Sequence, residues 1–261
     1  MLKAIEIGFI TLIGLSVGSF ANVVIYRLPK GISLLSPPSA CPSCKHHIGI
    51  VENIPIVSWI VLKGRCRSCK KPISPRYVVV ETLVAVSFLL LFYRFGLSYL
   101  FFIFCLFFLV LIIISAIDLE HKIVPNKIIY PTIFVTIPIF IVIAFSDKTT
   151  LNFENAILGG VGSFLFFLII HLIQPKGMGF GDVRLAGVVG LYMGWLGLGQ
   201  AFISICLSFF IGSFFGLLLI GLGRSRKTKV PFAPFLASGA ILCVFFGQSF
   251  LNFWLGSSAH L

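Results

Sequence analysis

The chain has 261 residues, of which 58% are hydrophobic and only 11% charged, and its mean hydropathy is +1.09. A soluble domain carries roughly 25% charged residues, so the composition excludes an ordinary soluble enzyme and identifies a polytopic membrane protein. The net charge of +12 could suggest a nucleic-acid partner, but the basic residues crowd into a few loops between apolar runs, and no nucleic acid is expected.

A helix crosses the hydrocarbon core with about 20 apolar residues. Runs of that kind fall at 5–26, 78–95, 99–117, 128–145, 154–173, 183–199, 201–222 and 232–254. They predict an all-α fold of about eight transmembrane helices. The first run is too long for a cleaved signal peptide and leads straight into Arg27-Leu-Pro29 with no small-residue cleavage site. Arg94 and Gly96 split the second run from the third, and a weak break at Gly197–Gln200 splits the sixth from the seventh. The expected domains are a first helix over 1–26, a cysteine-bearing domain over 27–77 and a helical body over 78–261.

Loop charge sets orientation, because cytoplasmic loops carry the excess of Lys and Arg. Segment 27–77 holds nine of these residues, 118–127 two, 174–184 two and 223–230 four, against only Lys3, Arg94 and Lys148 elsewhere. With eight alternating spans, all four basic segments share the cytoplasmic side. Lys122 and Lys127 belong to this topology signal.

The loop after the first helix contains Cys41-Pro-Ser-Cys44 and Cys66-Arg-Ser-Cys69. Two CxxC pairs at this separation can close a tetrahedral thiolate site on zinc, and a reducing cytoplasm disfavours disulfides. A structural zinc held by Cys41, Cys44, Cys66 and Cys69 is therefore expected, with His46 and His47 as solvent-exposed neighbours. Metal binding would give shape to a segment of little apolar content. No glycine-rich strand–turn–helix marks a nucleotide fold in it. Cys105, Cys206 and Cys243 lie in apolar runs and read as packing residues.

The chain has three aspartates, and two of them, Asp118 and Asp182, end long apolar runs. Acids at such positions are costly and point to function. One stands in Ser115-Ala-Ile-Asp-Leu-Glu-His-Lys-Ile-Val-Pro-Asn126, the other in Gly177-Met-Gly-Phe-Gly-Asp-Val-Arg184. Peptide hydrolysis without a metal or nucleophile needs an activated water and a proton donor. Two carboxylates sharing a proton supply both. The competing reading makes Asp182 only the N-cap of 183–199. Gly177, Gly179 and Gly181 leave room for a substrate strand beside the pair. Arg184 can tune the pair or reach lipid phosphates. The glycine pairs Gly14/Gly18, Gly190/Gly194 and Gly212/Gly216 have the spacing of close helix contacts. An ion-coupled transporter also uses intramembrane acids, but the two aspartate segments do not form the inverted repeat common there. A partner-docking scaffold would leave the glycine-aspartate stretch without a role.

In combination, Gly18-Ser-Phe-Ala-Asn-Val-Val-Ile-Tyr-Arg-Leu-Pro29, the four-cysteine loop with Glu52-Asn-Ile-Pro55 and Ser74-Pro-Arg-Tyr77, Asp118 with Pro125-Asn126, Gly179-Phe-Gly-Asp182 and Pro231-Phe-Ala-Pro-Phe-Leu-Ala237 resemble the bacterial prepilin peptidases over nearly the whole chain. The resemblance implies a bacterial inner-membrane enzyme that cleaves the basic leader of type IV prepilins and pseudopilins on the cytoplasmic side. It also implies methylation of the new amino terminus with S-adenosylmethionine (AdoMet). Asp118 and Asp182 would be catalytic, Gly179, Gly181 and Arg184 would support the catalytic loop, and Gly64 and Glu81 would serve methyl transfer. Structurally, Gly64 could merely permit the zinc turn, and Glu81 could pair with Arg76 or Arg27. Arg184 stands where lysine is common in that family, and Ala233 where glycine is common. Without methylation, the same residues would describe another intramembrane aspartic protease. Nothing in the sequence specifies an oligomeric state.

Overall fold

The computed structural model describes residues 2–175, 177–223 and 230–255. Its α-helices are α1 Leu2–Arg27, α2 Val57–Val61, α3 Arg76–Phe95, α4 Tyr99–His121, α5 Asn126–Ser146, α6 Thr150–Ile173, α7 Phe180–Leu196, α8 Leu198–Gly221 and α9 Ala233–Leu255. Short 3-10 turns lie at Leu28–Lys30 and Val51–Asn53. No strand occurs among the described residues, only two isolated β-bridges in the cysteine loop. Lys176 and the basic residues Arg224, Arg226, Lys227 and Lys229, counted above for orientation, lie outside the described residues.

A backbone in hydrocarbon must satisfy its own polar groups, so the apolar runs become helices. Among the described residues, seven of them are long and apolar enough to cross a membrane. The eighth expected span, α7, is 17 residues long, about 25 Å at 1.5 Å per residue, and its side chains are mostly buried. Its limits also move. Gly197, at φ 139°, is the single residue between α7 and α8, so both helices begin three residues earlier than the apolar runs suggest. Helix α4 in turn runs past the expected end at 117. Its close is Lys122, left-handed at φ 55°, whose N–H donates to the Asp118 carbonyl at 2.8 Å. Asp118 is thus in the last turns of a helix rather than beyond it.

Contacts divide the chain into two compact units, Met1–Ile113 and Ile114–Leu261, the boundary falling inside α4. In the first unit α1 packs along α3. A Cβ on Gly18 would stand 2.7 Å from the Glu81 Cα, and one on Gly14 2.7 Å from the Ala85 Cα. Only glycine permits this approach. The buried Asn22 amide on α1 donates to the Tyr77 carbonyl on α3 at 3.0 Å. Farther along, Phe95 stacks on Phe104, with ring centroids 5.3 Å apart.

In the second unit α7 is the central element, packed against α5, α6, α8 and α9. Its seam with α6 is backbone on backbone. A Cβ on Gly190 would lie 2.2 Å from the Gly159 carbonyl oxygen, and one on Gly194 2.3 Å from that of Asn155. On the α5 side, the buried Tyr192 hydroxyl bonds Thr136 at 2.6 Å, and Trp195 stacks on Phe140 at 4.1 Å. The third small-residue pair behaves differently. Gly212 makes ordinary contact with Phe235, and Gly216 has nothing within 4 Å.

Overpacking a close seam costs about 1–3 kcal/mol. Gly194→Ala is therefore expected to lower the thermal unfolding midpoint of the solubilised protein by several degrees. Gly216→Ala, which enters open space, should leave it unchanged. Equal midpoints for the two variants would remove the seam from the account of stability.

Candidate active site and metal centre

The two expected carboxylates come together in the second unit. Asp118 is 5% exposed and Asp182 8%, and the two lie within electrostatic range of each other. Asp118 Oδ2 accepts the Ala233 N–H at 3.1 Å. Ala233 opens α9, where a helix leaves its first N–H groups without internal acceptors and presents its positive end. A fully buried alanine leaves room for the carboxylate to reach that amide.

Asp182 lies in the first turn of α7, but it is not the N-cap. That position belongs to Gly179, extended at φ −72° and ψ 145°, and no side chain caps the helix. The Asp182 N–H donates to the Gly179 carbonyl at 3.0 Å. Its Oδ1 is buried with no hydrogen-bond partner among the described residues. The glycines have distinct duties. A Cβ on Gly181 would stand 2.7 Å from the Val124 Cβ, so the α4–α5 connection closes directly on this residue. A Cβ on Gly179 would come into ordinary contact with Asp182 Oδ2, at 3.5 Å, and with the Gly181 N at 4.0 Å, so the space beside the carboxylate is open here. Gly177 makes no close approach beyond Gln174.

Arg184 neither reaches the pair nor points freely to lipid. Its guanidinium donates to Asn126 Oδ1 at the start of α5 and lies 4.4 Å from the Phe180 ring centroid. On the other side, His171 at the end of α6 donates from Nδ1 to the Met178 carbonyl at 2.8 Å, with its ring 5.6 Å from that of Phe180. His171, Phe180, Arg184 and Asn126 thus brace the loop before Asp182 between three helices. Sequence reading missed His171 and Phe180, because a histidine at a helix end and one phenylalanine among 29 carry no distinguishing pattern. A groove of about 450 Å³ between α5, α6 and α7 is mostly apolar and includes Tyr130, Phe180 and Arg184 in its lining.

In the first unit the four cysteines converge. Their sulfurs lie within 4.8 Å of one another, with Cys41–Cys69 and Cys44–Cys66 both at 3.9 Å. Four thiolates around a tetrahedral zinc at a Zn–S length near 2.3 Å would stand about 3.8 Å apart. The residues fit the metal. The two knuckles are built alike. Lys45 and Lys70 are both left-handed, at φ 60° and 59°. Each donates its N–H to the carbonyl of the first cysteine of its pair, Cys41 at 2.9 Å and Cys66 at 3.0 Å. One β-bridge flanks each knuckle, Ala40 with His47 and Arg65 with Pro72. The Cys44 backbone N–H lowers the Cys41 thiol to about 7, and the Cys69 N–H lowers Cys66 in the same way. His46 lies outside the cluster, 3.6 Å from Glu52.

Gly64 is left-handed at φ 66°, and a Cβ there would come within 2.8 Å of the Trp59 ring. Glu81 is buried and accepts the Ile56 N–H at 2.8 Å. Ile56 itself has φ 59° and ψ −51°, a strained conformation for a β-branched residue. Arg27 turns to the Ser33 and Pro37 carbonyls rather than to Glu81. The Asn22 Oδ1 is buried without a partner among the described residues, which leaves polar capacity in the α1–α3 seam. Nothing in the sequence singled that atom out.

Residues 12–95 match the bacterial peptidase A24 N-terminal domain, and residues 105–221 match the type IV leader peptidase family. The class is therefore a membrane-embedded aspartic peptidase, consistent with spans that carry buried, neighbouring acids. The prepilin leader peptidase/N-methyltransferase of Bacillus subtilis is 34% identical over 93% of this chain and 95% of its own length. The proteins of that name from Legionella pneumophila and Pseudomonas aeruginosa are 31% and 30% identical, each over 94% of this chain and over 93% and 91% of their own lengths. The chain belongs to the type IV leader peptidase family. No solved structure matches it.

The contact between Gly181 and Val124 is directly testable. Gly181→Ala should lower peptidase turnover by about tenfold or more, since small misplacements of reacting groups are amplified in rate. Val124→Gly in the same chain should restore part of the loss. A Gly181→Ala enzyme with unchanged turnover would show that the contact does not position Asp182.

Proposed function

We propose that this protein cleaves the basic leader of type IV prepilins and pseudopilins with Asp118 and Asp182, then methylates the exposed amino terminus with AdoMet. The observation that carries the reading is the meeting of two buried carboxylates, one held by the start of α9 and the other with a free oxygen. The names of the relatives supply the substrate class and the second activity. The bias of basic residues supports a cytoplasmic site in the bacterial inner membrane.

Close carboxylates cannot both ionise readily, so the pair shares one proton and titrates as a unit. The ionised member takes a proton from water as the oxygen attacks the scissile carbonyl. The protonated member gives its proton to the carbonyl oxygen. Collapse of the tetrahedral species then delivers a proton to the leaving amine and resets the pair. The Ala233 N–H fixes one carboxylate, while Gly179 leaves space for the peptide beside the other. His171, Phe180, Arg184 and Asn126 hold the loop in register.

We assign the cysteine domain, 27–77, to methyl transfer, with Gly64 and Glu81, and the 78–261 body to proteolysis. AdoMet supplies a methyl group to the new α-amine, whose ordinary pKa near 7.7–8.0 leaves a neutral fraction at cytoplasmic pH. Asn22 and Glu81 offer buried polar atoms in the seam beside the cysteine loop, and Gly64 sets the turn against Trp59. Cys41, Cys44, Cys66 and Cys69 would hold a structural zinc, which supplies folding free energy rather than reactivity.

Asp118→Asn and Asp182→Asn keep side-chain shape while removing the shared proton. Each is expected to lower leader cleavage by about a thousandfold or more in a folded, membrane-inserted protein. Near-normal cleavage by either purified variant, read by mass spectrometry of a prepilin, would sink the assignment. Elemental analysis should find zinc in protein purified without chelator, and Cys66→Ser should lower it. Exchange protection over 27–77 should fall further than in the helices. Metal-free protein with intact thiols would exclude the zinc.

A further inference from the structure

Within the cysteine loop, one face is apolar and uncovered. Ile50 is 92% exposed, Val51 73%, Val57 54%, Ile60 61% and Val61 72%. The last three fall at i, i+3 and i+4 of α2, one face of a helix turn. The other side of α2 is occupied. The Ser58 hydroxyl donates to the Val51 carbonyl at 2.8 Å, and the Trp59 indole donates to the Ile73 carbonyl at 3.3 Å, its ring packed on Gly64. The apolar face is therefore held outward by the folded loop.

The Glu81–Ile56 hydrogen bond ties this face to the first turns of α3. Glu81 lies five residues into α3, a spanning helix that starts at Arg76, so it is about 7.5 Å along the helix axis at 1.5 Å per residue. The residue just before α2 is pinned at that level, despite the strain at its own backbone. Interfacial helices bury their apolar face about 5–10 Å into the boundary between headgroups and acyl chains. A face tied to the first turns of a spanning helix is within reach of that boundary. Both ends of the loop continue into spanning helices, α1 and α3, which keeps it close to the membrane surface. Its charge fits the same surface: 27–77 holds nine Lys/Arg and one acid, Glu52. Lys63 and Arg65 follow α2 at once and are exposed. Basic side chains beside an apolar face match anionic headgroups over acyl chains.

We propose that Ile50–Val61 is an interfacial anchor, with Ile50, Val51, Val57, Ile60 and Val61 inserted at the acyl boundary of a bilayer containing anionic phospholipid. The anchor rests on the membrane spans and the loop geometry, and it is independent of the peptidase and methyl-transfer assignments. It holds the cysteine domain flat against the bilayer rather than projecting into water.

The test uses the full chain in nanodiscs of phosphatidylethanolamine and phosphatidylglycerol, with photoreactive p-benzoylphenylalanine placed at Val51, Ile60 or Val61 in turn. Ser43 and Ser68, one in each cysteine knuckle, are the comparison positions. Zinc content reports whether each labelled loop is folded, and three positions guard against failure of one. After irradiation, intact-protein mass spectrometry should show addition of one phospholipid at the apolar positions, in yields several-fold above those at the knuckles. Equal yields at both sets of positions in folded protein would overturn the proposal. So would crosslinks from the apolar positions to an added prepilin in place of lipid, which would make the face a protein-docking surface.

Discussion

In hydrocarbon an apolar side chain gains nothing by leaving lipid for another apolar side chain, so helices are joined by close backbone approach and by polar bonds. The α6–α7 seam shows what that constraint demands. Gly159, Gly190 and Gly194 bring carbonyls and Cα atoms so near that a methyl group at Gly190 or Gly194 would overlap its neighbour. With α7 held that tightly, its first turn becomes a rigid platform. Asp182 can then be buried at a fixed place although one of its oxygens has no protein partner. A looser helix would let such a group turn toward water or lipid phosphates.

The same logic explains how the second acid is held. Asp118 is brought to the start of α9, and a helix start is one of the few places in an apolar body with an unpaired N–H. The bond from Ala233 therefore satisfies two buried groups at once, the terminal amide of one helix and the carboxylate of another. Around this pair the chain places polar and aromatic braces. His171 holds a carbonyl, Arg184 holds an amide oxygen, and Phe180 lies between them. Lysine at position 184 would keep the charge but not the flat contact with Phe180.

The cysteine domain has the opposite problem. It has fewer apolar residues than the spanning helices, and several of those it has face outward. Its shape comes from two similar knuckles whose sulfurs converge, and from two attachments near α3: Trp59 on the Ile73 carbonyl and Ile56 on Glu81. A glycine at 64 serves the Trp59 packing, and a carboxylate at 81 serves the Ile56 turn. Each residue has a structural duty whatever chemistry it also performs.

The sequence by itself determined the class of fold, since uninterrupted apolar runs admit little except helices in a bilayer. It also singled out the residues most worth examining. Four cysteines in two CxxC pairs, and two aspartates at the ends of apolar runs, stand out because their residue types are chemically specific or costly in that setting. Tertiary structure decided the rest. Apolar periodicity carries no mark of where a helix ends inside an apolar run, so the three-residue shift of α7 and α8 and the extension of α4 past Asp118 became visible only with Gly197 and Lys122 in place. Spacing likewise could not distinguish Gly181, pressed on Val124, from Gly179, open beside Asp182, or the close seam at Gly194 from the open surface at Gly216. Nor could it join Ala233 to Asp118 across 115 residues of chain, or set His171 behind the loop. Such roles depend on which backbones meet, and that is a property of packing between distant helices rather than of any local pattern.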